Sequence, residues 1–262
     1  LKRTMLITGA SAGLGAALAR EYAQRGWNLV LTARREDRLA ALGVTLRLEH
    51  GTESTVIAAD LFSETAVPDL MTALDGLQID GVINNAGYGH PGTYLSSDWE
   101  DHRKFNHLMT VVPIELTRAL LPAMVERGFG RVMQVASLAG HMPGSKGHTL
   151  YAAVKAYLIK FSESLNAEMQ GKGVHVSALC PGFVLTEFHD VNGTREGINK
   201  LPGFMVMNAD VCAKLAAEAL EKNKDVFISG RVNRFLARLN RWMPWLGKRI
   251  MGRSSSSYRN QN

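Results

Sequence analysis

Short apolar runs alternate with helix-spaced segments along almost the whole chain, and this alternation constrains the fold more than any other feature. Strand-like runs fall at residues 4–8, 28–32, 55–59, 81–84, 131–135, 175–180 and 225–229. Between them, residues 14–25, 35–42, 105–127, 151–170 and 210–222 repeat apolar side chains at helical spacing. Strands regularly separated by helices imply a parallel sheet with helices on both faces. Crossovers of that kind are right-handed, which gives a doubly wound α/β fold. A length of 262 residues suits such a domain and is enough to bury a sizeable core. Residues 186–208 break the rhythm as a long irregular connection, and residues 254–257 begin a polar terminus.

The net charge of +6 is unevenly placed. Eight basic residues, from Arg231 to Arg259, lie beyond residue 230, and no Asp or Glu accompanies them. Taking those eight from +6 leaves −2 for residues 1–230, so a basic extension (231–262) follows a nearly neutral body (1–230). That distribution excludes the spread basic face of a nucleic-acid binder. Cys180 and Cys212 stand far apart and form no CxxC pair, so a reducing, cytoplasmic setting is expected. No uninterrupted apolar run reaches the roughly 18 residues of a membrane span. Leu1-Lys2-Arg3-Thr4 leads straight into the first strand, so no signal peptide is expected.

The first strand is followed by Thr8-Gly9-Ala10-Ser11-Ala12-Gly13-Leu14-Gly15, and then by a helix. Glycines let the backbone turn sharply and approach a ligand, and the helix start offers N–H groups to a pyrophosphate. A tight turn without a ligand would use the same residues. The spacing TGxxxGxG resembles that of the short-chain dehydrogenase/reductase family, over roughly residues 4–230. The resemblance implies a single-domain, Rossmann-like three-layer α/β/α sandwich. It also implies that Gly9, Ser11, Gly13, Leu14 and Gly15 line cofactor phosphates. At the end of the second strand, Ala33 stands where relatives that prefer NAD carry an acid, and Arg34 follows it. A guanidinium binds a 2′-phosphate that a carboxylate would repel, which favours NADP(H). Arg34 and Arg35 would also suit a solvated helix start. The extra basic residue usual in the glycine loop is missing, since Ala12 stands there. Asp60 after the third strand matches an adenine-binding Asp, or serves as an ordinary helix cap. Asn84-Asn85-Ala86-Gly87 matches the family's NNAG motif, which places Asn85, Ala86 and Gly87 at the cofactor.

Tyr151-Ala152-Ala153-Val154-Lys155 carries the strongest chemical signal. Residues four apart share a helix face, so the phenol and the ammonium point into one cleft. An unperturbed tyrosine near pKa 10 is a poor proton shuttle at neutral pH, and a nearby cation is expected to lower it. Ser137, at the end of the fifth strand, matches the family's catalytic serine. Asn106 matches an Asn that supports a water chain to the lysine, or is a helix cap. The resemblance implies hydride transfer to a carbonyl with Tyr151 as general acid, Ser137 orienting the oxygen and Lys155 holding the nicotinamide ribose. The gap from Ser137 to Tyr151 is one residue longer than the commonest family spacing. Pro181 and Gly182 match the family's PG motif, which places Val184 and Thr186 at the carboxamide. Cys180 reads as a buried strand residue rather than a nucleophile. No HExxH or GxSxG pattern is present, so neither a metal nor a serine-hydrolase elbow is expected.

Substrate identity is expected to reside in residues 138–144, Phe183 and residues 188–207, which include His141, Met142, Phe188, Phe204, Met205 and Met207. Met and aromatic side chains there suit an adaptable apolar pocket and a lipophilic carbonyl. A lid packed on the core would look the same. The family's ketoacyl reductases usually carry Gly-Gly after the last strand; Ser229-Gly230-Arg231 stands here instead, which argues against fatty-acid synthesis. The extension interleaves arginine with Phe235, Trp242 and Trp245, and Pro244 divides it into two helical pieces. Such a segment can lie in a membrane interface, cover a neighbouring subunit or pack on its own core. The family's habit of pairing through residues 105–127 and 151–170 implies a homodimer or homotetramer. Two other functions fit the sequence: a dinucleotide-binding sensor or scaffold without turnover, and a membrane-peripheral protein localised by its tail.

Overall fold

Met5, Leu6 and Ile7 are completely buried, so the first strand has cover on both faces, as parallel strands require. A computed structural model of the chain describes residues 2–90, 93–147, 149–186, 203–243 and 245. The elements in chain order are β1 (Thr4–Thr8), α1 (Gly13–Gln24), β2 (Asn28–Ala33), α2 (Glu36–His50), β3 (Ser54–Ala58), α3 (Ala66–Ala73), β4 (Gly81–Asn84), α4 (Trp99–Asn106), α5 (Val112–Glu126) and β5 (Gly130–Val135). There follow α6 (Thr149–Glu168), β6 (Val174–Cys180), β7 (Phe183–Leu185), β8 (Val206–Asn208), α7 (Ala209–Glu221), β9 (Val226–Ile228) and α8 (Arg231–Trp242).

Seven parallel strands form one sheet in the order β3-β2-β1-β4-β5-β6-β9, and β7 pairs with β8 apart from it. Alternate side chains of each strand enter different layers. Met5 and Ile7 of β1 pack with Leu18 and Tyr22 of α1, Leu39 of α2 and Ala213 and Leu220 of α7. Leu6 faces the other way, with Leu70 of α3, Leu116 and Met124 of α5 and Leu165 of α6. The result is the Rossmann-like α/β/α sandwich.

Several boundaries depart from the sequence pattern. Helix α2 runs to His50 although only Leu39 and Leu46 are buried in it, two turns apart. So sparse a stripe leaves little periodicity to read. Helix α3 buries Ala66, Val67 and Leu70 in eight residues, too short a pattern to register. The helix expected over residues 105–127 is composite: α4 leads into a wide π-type turn, His107–Val111, and then α5. Pro113 has no N–H to give the preceding turn, which accounts for the break beside it. As a unit, Trp99–Glu126 is by length and composition long and apolar enough to cross a membrane, although charged residues interrupt it. Leu116, Leu120 and Met124 instead pack it against the sheet.

Candidate active site

The strand order changes direction between β1 and β4, which opens a crevice at their carboxyl ends. Gly9 enters it with φ +67°, a left-handed conformation that glycine adopts without strain. A Cβ on Gly15 would lie 2.3 Å from the Gly9 carbonyl oxygen, so only hydrogen fits there. Ala12 precedes α1 without a side-chain cap, and the first turn holds no acid. A helix start of this kind suits an anion, through its N–H groups and positive dipole end.

Side chains stitch this loop to β4. The Thr8 hydroxyl accepts the backbone N–H groups of Asn85 (2.9 Å) and Ala86 (3.0 Å). The Asn85 amide donates to the carbonyls of Thr8 (2.9 Å) and Gly9 (3.2 Å). Asn84 turns the other way and donates to Pro113 O and Thr117 Oγ1, which ties β4 to α5. Gly87 lies against Met109. The Arg34 guanidinium sits 5.7 Å from the centre of the Phe62 ring. Arg35, not singled out by the sequence reading, donates from Nε (3.2 Å) and Nη2 (3.1 Å) to Ser11 Oγ. Arg35 therefore borders the glycine loop, while its neighbour Arg34 lies over Phe62; the doublet itself was the available signal. Asp60 is exposed, and its carboxylate accepts the Phe62 N–H at 3.2 Å. Opposite, Thr186 would touch a Cβ on Gly13 at 3.1 Å, so the PG-loop end closes over the start of α1. Val184 is buried beneath it. Leu14, part of the loop, packs on the core.

Ser137, Tyr151 and Lys155 come together at the end of β5. Ser137 Oγ accepts the Ala139 N–H at 3.1 Å, capping the short 3₁₀ turn Leu138–His141. Ser137 also hydrogen-bonds the Tyr151 phenol. The Leu138 N–H donates to Pro181 O at 2.8 Å, fixing this turn to the PG loop. One helical turn beyond Tyr151, Lys155 is buried, donates from Nζ to Val135 O at 2.8 Å and lies 5.6 Å from the Tyr151 ring centre. Asn106 ends α4 at the π-type turn, and its carbonyl accepts the Thr110 hydroxyl at 2.7 Å. Its neighbour Phe105 packs with Val154 and Tyr151, so Asn106 borders the same wall. No hydrogen bond joins Asn106 directly to Lys155 among the described residues.

Burial dominates the electrostatics here. It pushes the Tyr151 phenol up, and the Ser137 hydrogen bond offsets this in part. Burial also brings Lys155 down to about 8. The phenol thus moves opposite to the direction expected from a neighbouring lysine. Lys155 is committed to a backbone carbonyl, and loss of water around the phenolate is the largest influence on the phenol. Burial raises the Cys180 thiol, which fits an inert strand residue.

A small cavity beside Tyr151 is lined by Leu150, His90, Tyr94 and His102, with the Tyr94 and His102 rings stacked at 4.8 Å. These three residues sit on the connection after β4 and on α4, where no motif marks them. Across the turn, a larger cavity is lined by Met142, Gly144 and Lys146. His141 is half-buried, and burial lowers its imidazole. Met207 packs on the core cluster rather than standing free in a pocket. Phe188 and most of the expected lid lie outside the described residues.

A crevice bordered by a glycine loop, with a Ser-Tyr-Lys group on its far side, defines the class: an NAD(P)-dependent oxidoreductase. The short chain dehydrogenase family model matches residues 3–197, and the chain belongs to the short-chain dehydrogenase/reductase family. It is 34% identical to the ketoacyl reductase HetN of Nostoc sp. over 77% of this chain and 70% of that one. A Sphingobium yanoikuyae short-chain dehydrogenase, solved in complex with NADPH, superposes with a TM-score of 0.81 at 31% identity, covering 99% and 98% of the two chains. The bulky-bulky ketone specific alcohol dehydrogenase of Comamonas testosteroni gives 0.78 at 30% identity, covering 93% of each. The chain spans 62% of the length of the Danio rerio very-long-chain 3-oxoacyl-CoA reductase-B, which it matches at 32% identity over 73% of its own length.

Proposed function

We propose that this protein is an NADPH-dependent reductase of a lipophilic ketone or aldehyde. The observation that carries the reading is the meeting of Ser137, Tyr151 and Lys155 beside the switch-point crevice, with the phenol hydrogen-bonded to Ser137. The residues fit a dinucleotide: the positions of Gly9 and Gly15 admit no larger side chain, and α1 begins uncapped. When bound, the reduced nicotinamide supplies the hydride to the carbonyl carbon. Ser137 orients the carbonyl oxygen by hydrogen bonding. Tyr151, held protonated by burial, gives its phenolic proton to that oxygen. Lys155 keeps its ammonium through neutral pH, holds the ribose and stands behind the phenol. Asn106 supports a water chain returning the proton. Arg34, over Phe62, and Arg35, beside Ser11, favour a 2′-phosphate and hence NADP(H). The NADPH and bulky-ketone relatives support the cofactor and the lipophilic substrate. Asp60, Val184 and Thr186 complete the cofactor site in this reading. Exposed Val111 and Tyr157, beside and on the pairing helices, support a homodimer or homotetramer, which light scattering tests.

NADPH consumption over a panel of bulky ketones, aldehydes and steroid-like carbonyls tests the function, with NADH in parallel and Tyr151→Phe as control. Turnover with NADPH that the variant loses is the expected result. Tight NADPH binding with no turnover on any carbonyl would replace the reductase with a sensor or scaffold.

A further inference from the structure

Helix α8 turns amides toward the protein and aromatic rings toward water. Its buried side chains are Asn233 and Ala237, with Asn240 on the same side. Asn233 Nδ2 donates to Ser229 O and Asn240 Nδ2 donates to His141 O, each at 2.7 Å. Amide and small side chains, with Arg234 donating to Ile228 O at 3.2 Å, thus hold the helix to the protein. By helical spacing the opposite side carries Phe235 and Trp242 between Arg231 and Arg238. Phe235 is 63% exposed and Trp242 79%, and Trp245 just beyond is 64% exposed. Helix α7 shows the ordinary arrangement, with Ala213, Ala216 and Leu220 in the core. An aromatic face left in water calls for a partner.

Arg231 and Arg238 on that face, and the composition of the whole extension, select the partner. Residues 231–262 contain eight basic residues and no acid. A second copy presenting the same helix would set arginine against arginine with no counter-charge. A surface that is anionic outside and apolar beneath satisfies both residue types at once. Arginines reach its headgroups while tryptophan and phenylalanine enter the acyl boundary. We infer that α8 docks this protein on an anionic lipid surface. The helix touches the turn that Ser137 begins, through His141, and packs on the PG loop, where a Cβ on Gly182 would meet Asn233 at 2.3 Å. Docking there sets the loops beside the catalytic group next to the bilayer.

The test is sedimentation of the full chain with phosphatidylcholine vesicles, with and without phosphatidylglycerol, at low and high salt. Two double variants accompany it: Phe235→Ala with Trp242→Ala, and Arg231→Gln with Arg238→Gln. All four side chains are exposed, and an unchanged melting midpoint shows the fold is kept. The wild type is expected to sediment with the anionic vesicles and less so in salt. Removing two arginines should weaken binding by about 30-fold, and removing the aromatics should weaken it as well. The proposal falls if neither vesicle binds, if neutral vesicles bind equally, or if both variants bind like the wild type. It also falls if light scattering finds a wild-type oligomer that the variants break without any vesicle binding, since the face then covers a second copy.

Discussion

The two sides of the crevice are built at the same ends of the same sheet, yet by different means. The cofactor side is a matter of backbone: Gly9 and Gly15 in close approach, and Thr8 and Asn85 satisfying the loop's polar groups. The catalytic side is a matter of titratable side chains, Lys155 buried and Tyr151 half-buried, both shifted by loss of water. The first tolerates little change in shape, and the second little change in charge.

The largest effect should come from the chemical side. Tyr151→Phe removes one hydroxyl and is expected to lower kcat by about 10²- to 10⁴-fold, with the melting midpoint nearly unchanged. Steady-state kinetics beside a thermal melt separates the two readouts. The backbone side should respond in the opposite manner. Gly15→Ala drives a methyl group to within 2.3 Å of the Gly9 carbonyl. It should destabilise the fold by about 1–3 kcal/mol and weaken NADPH binding, as followed by melting and cofactor fluorescence. A variant that melts like the wild type would show the loop to be softer than drawn.

Replacing Arg34 and Arg35 together by alanine tests charge on the cofactor side. The preference for NADPH over NADH should fall by about 10- to 100-fold, from the loss of charged hydrogen bonds. Equal losses for both cofactors would mean the arginines serve the loop's shape instead. On the catalytic side, kcat/KM for reduction should decline as pH rises through about 8, where Lys155 loses its proton. The folded value lies below the ordinary 10.5 of lysine, so between about 8 and 10.5 the unfolded chain holds a proton that the folded chain lacks. Stability therefore rises with pH across that window, and Lys155→Met should flatten the rise in a series of pH-dependent melts. The smallest effect belongs to a contact remote from both sides. Arg20 and Asp210 pair at 2.7 Å with side chains 41% and 61% exposed. Arg20→Ala should change stability by less than about 1 kcal/mol.

Legibility in the sequence followed how local each cause is. The strands β1, β2, β4, β5 and β6 are short and mostly apolar, and their boundaries emerged within a residue or so. The partner strands β7 and β8 did not, because three residues each carry no period. The glycine loop and the Tyr151–Lys155 pair were legible because their geometry is set within a few residues. Arg35 was passed over because its target, Ser11, lies 24 residues away. His90, Tyr94 and His102 were invisible for the same reason, since stacking depends on how a loop meets α4.

The sequence by itself determined the order of strands and helices, the glycine loop and the identity of the Ser137, Tyr151 and Lys155 group. Local spacing and φ preference give the element order and the loop, and the resemblance of short motifs to the family points to the three side chains. Tertiary structure alone decided the direction of the Tyr151 shift, the bond from Lys155 to Val135 and the outward face of α8. Each of these depends on which distant segments exclude water from a side chain, and desolvation is a property of the packed molecule rather than of any stretch of its sequence.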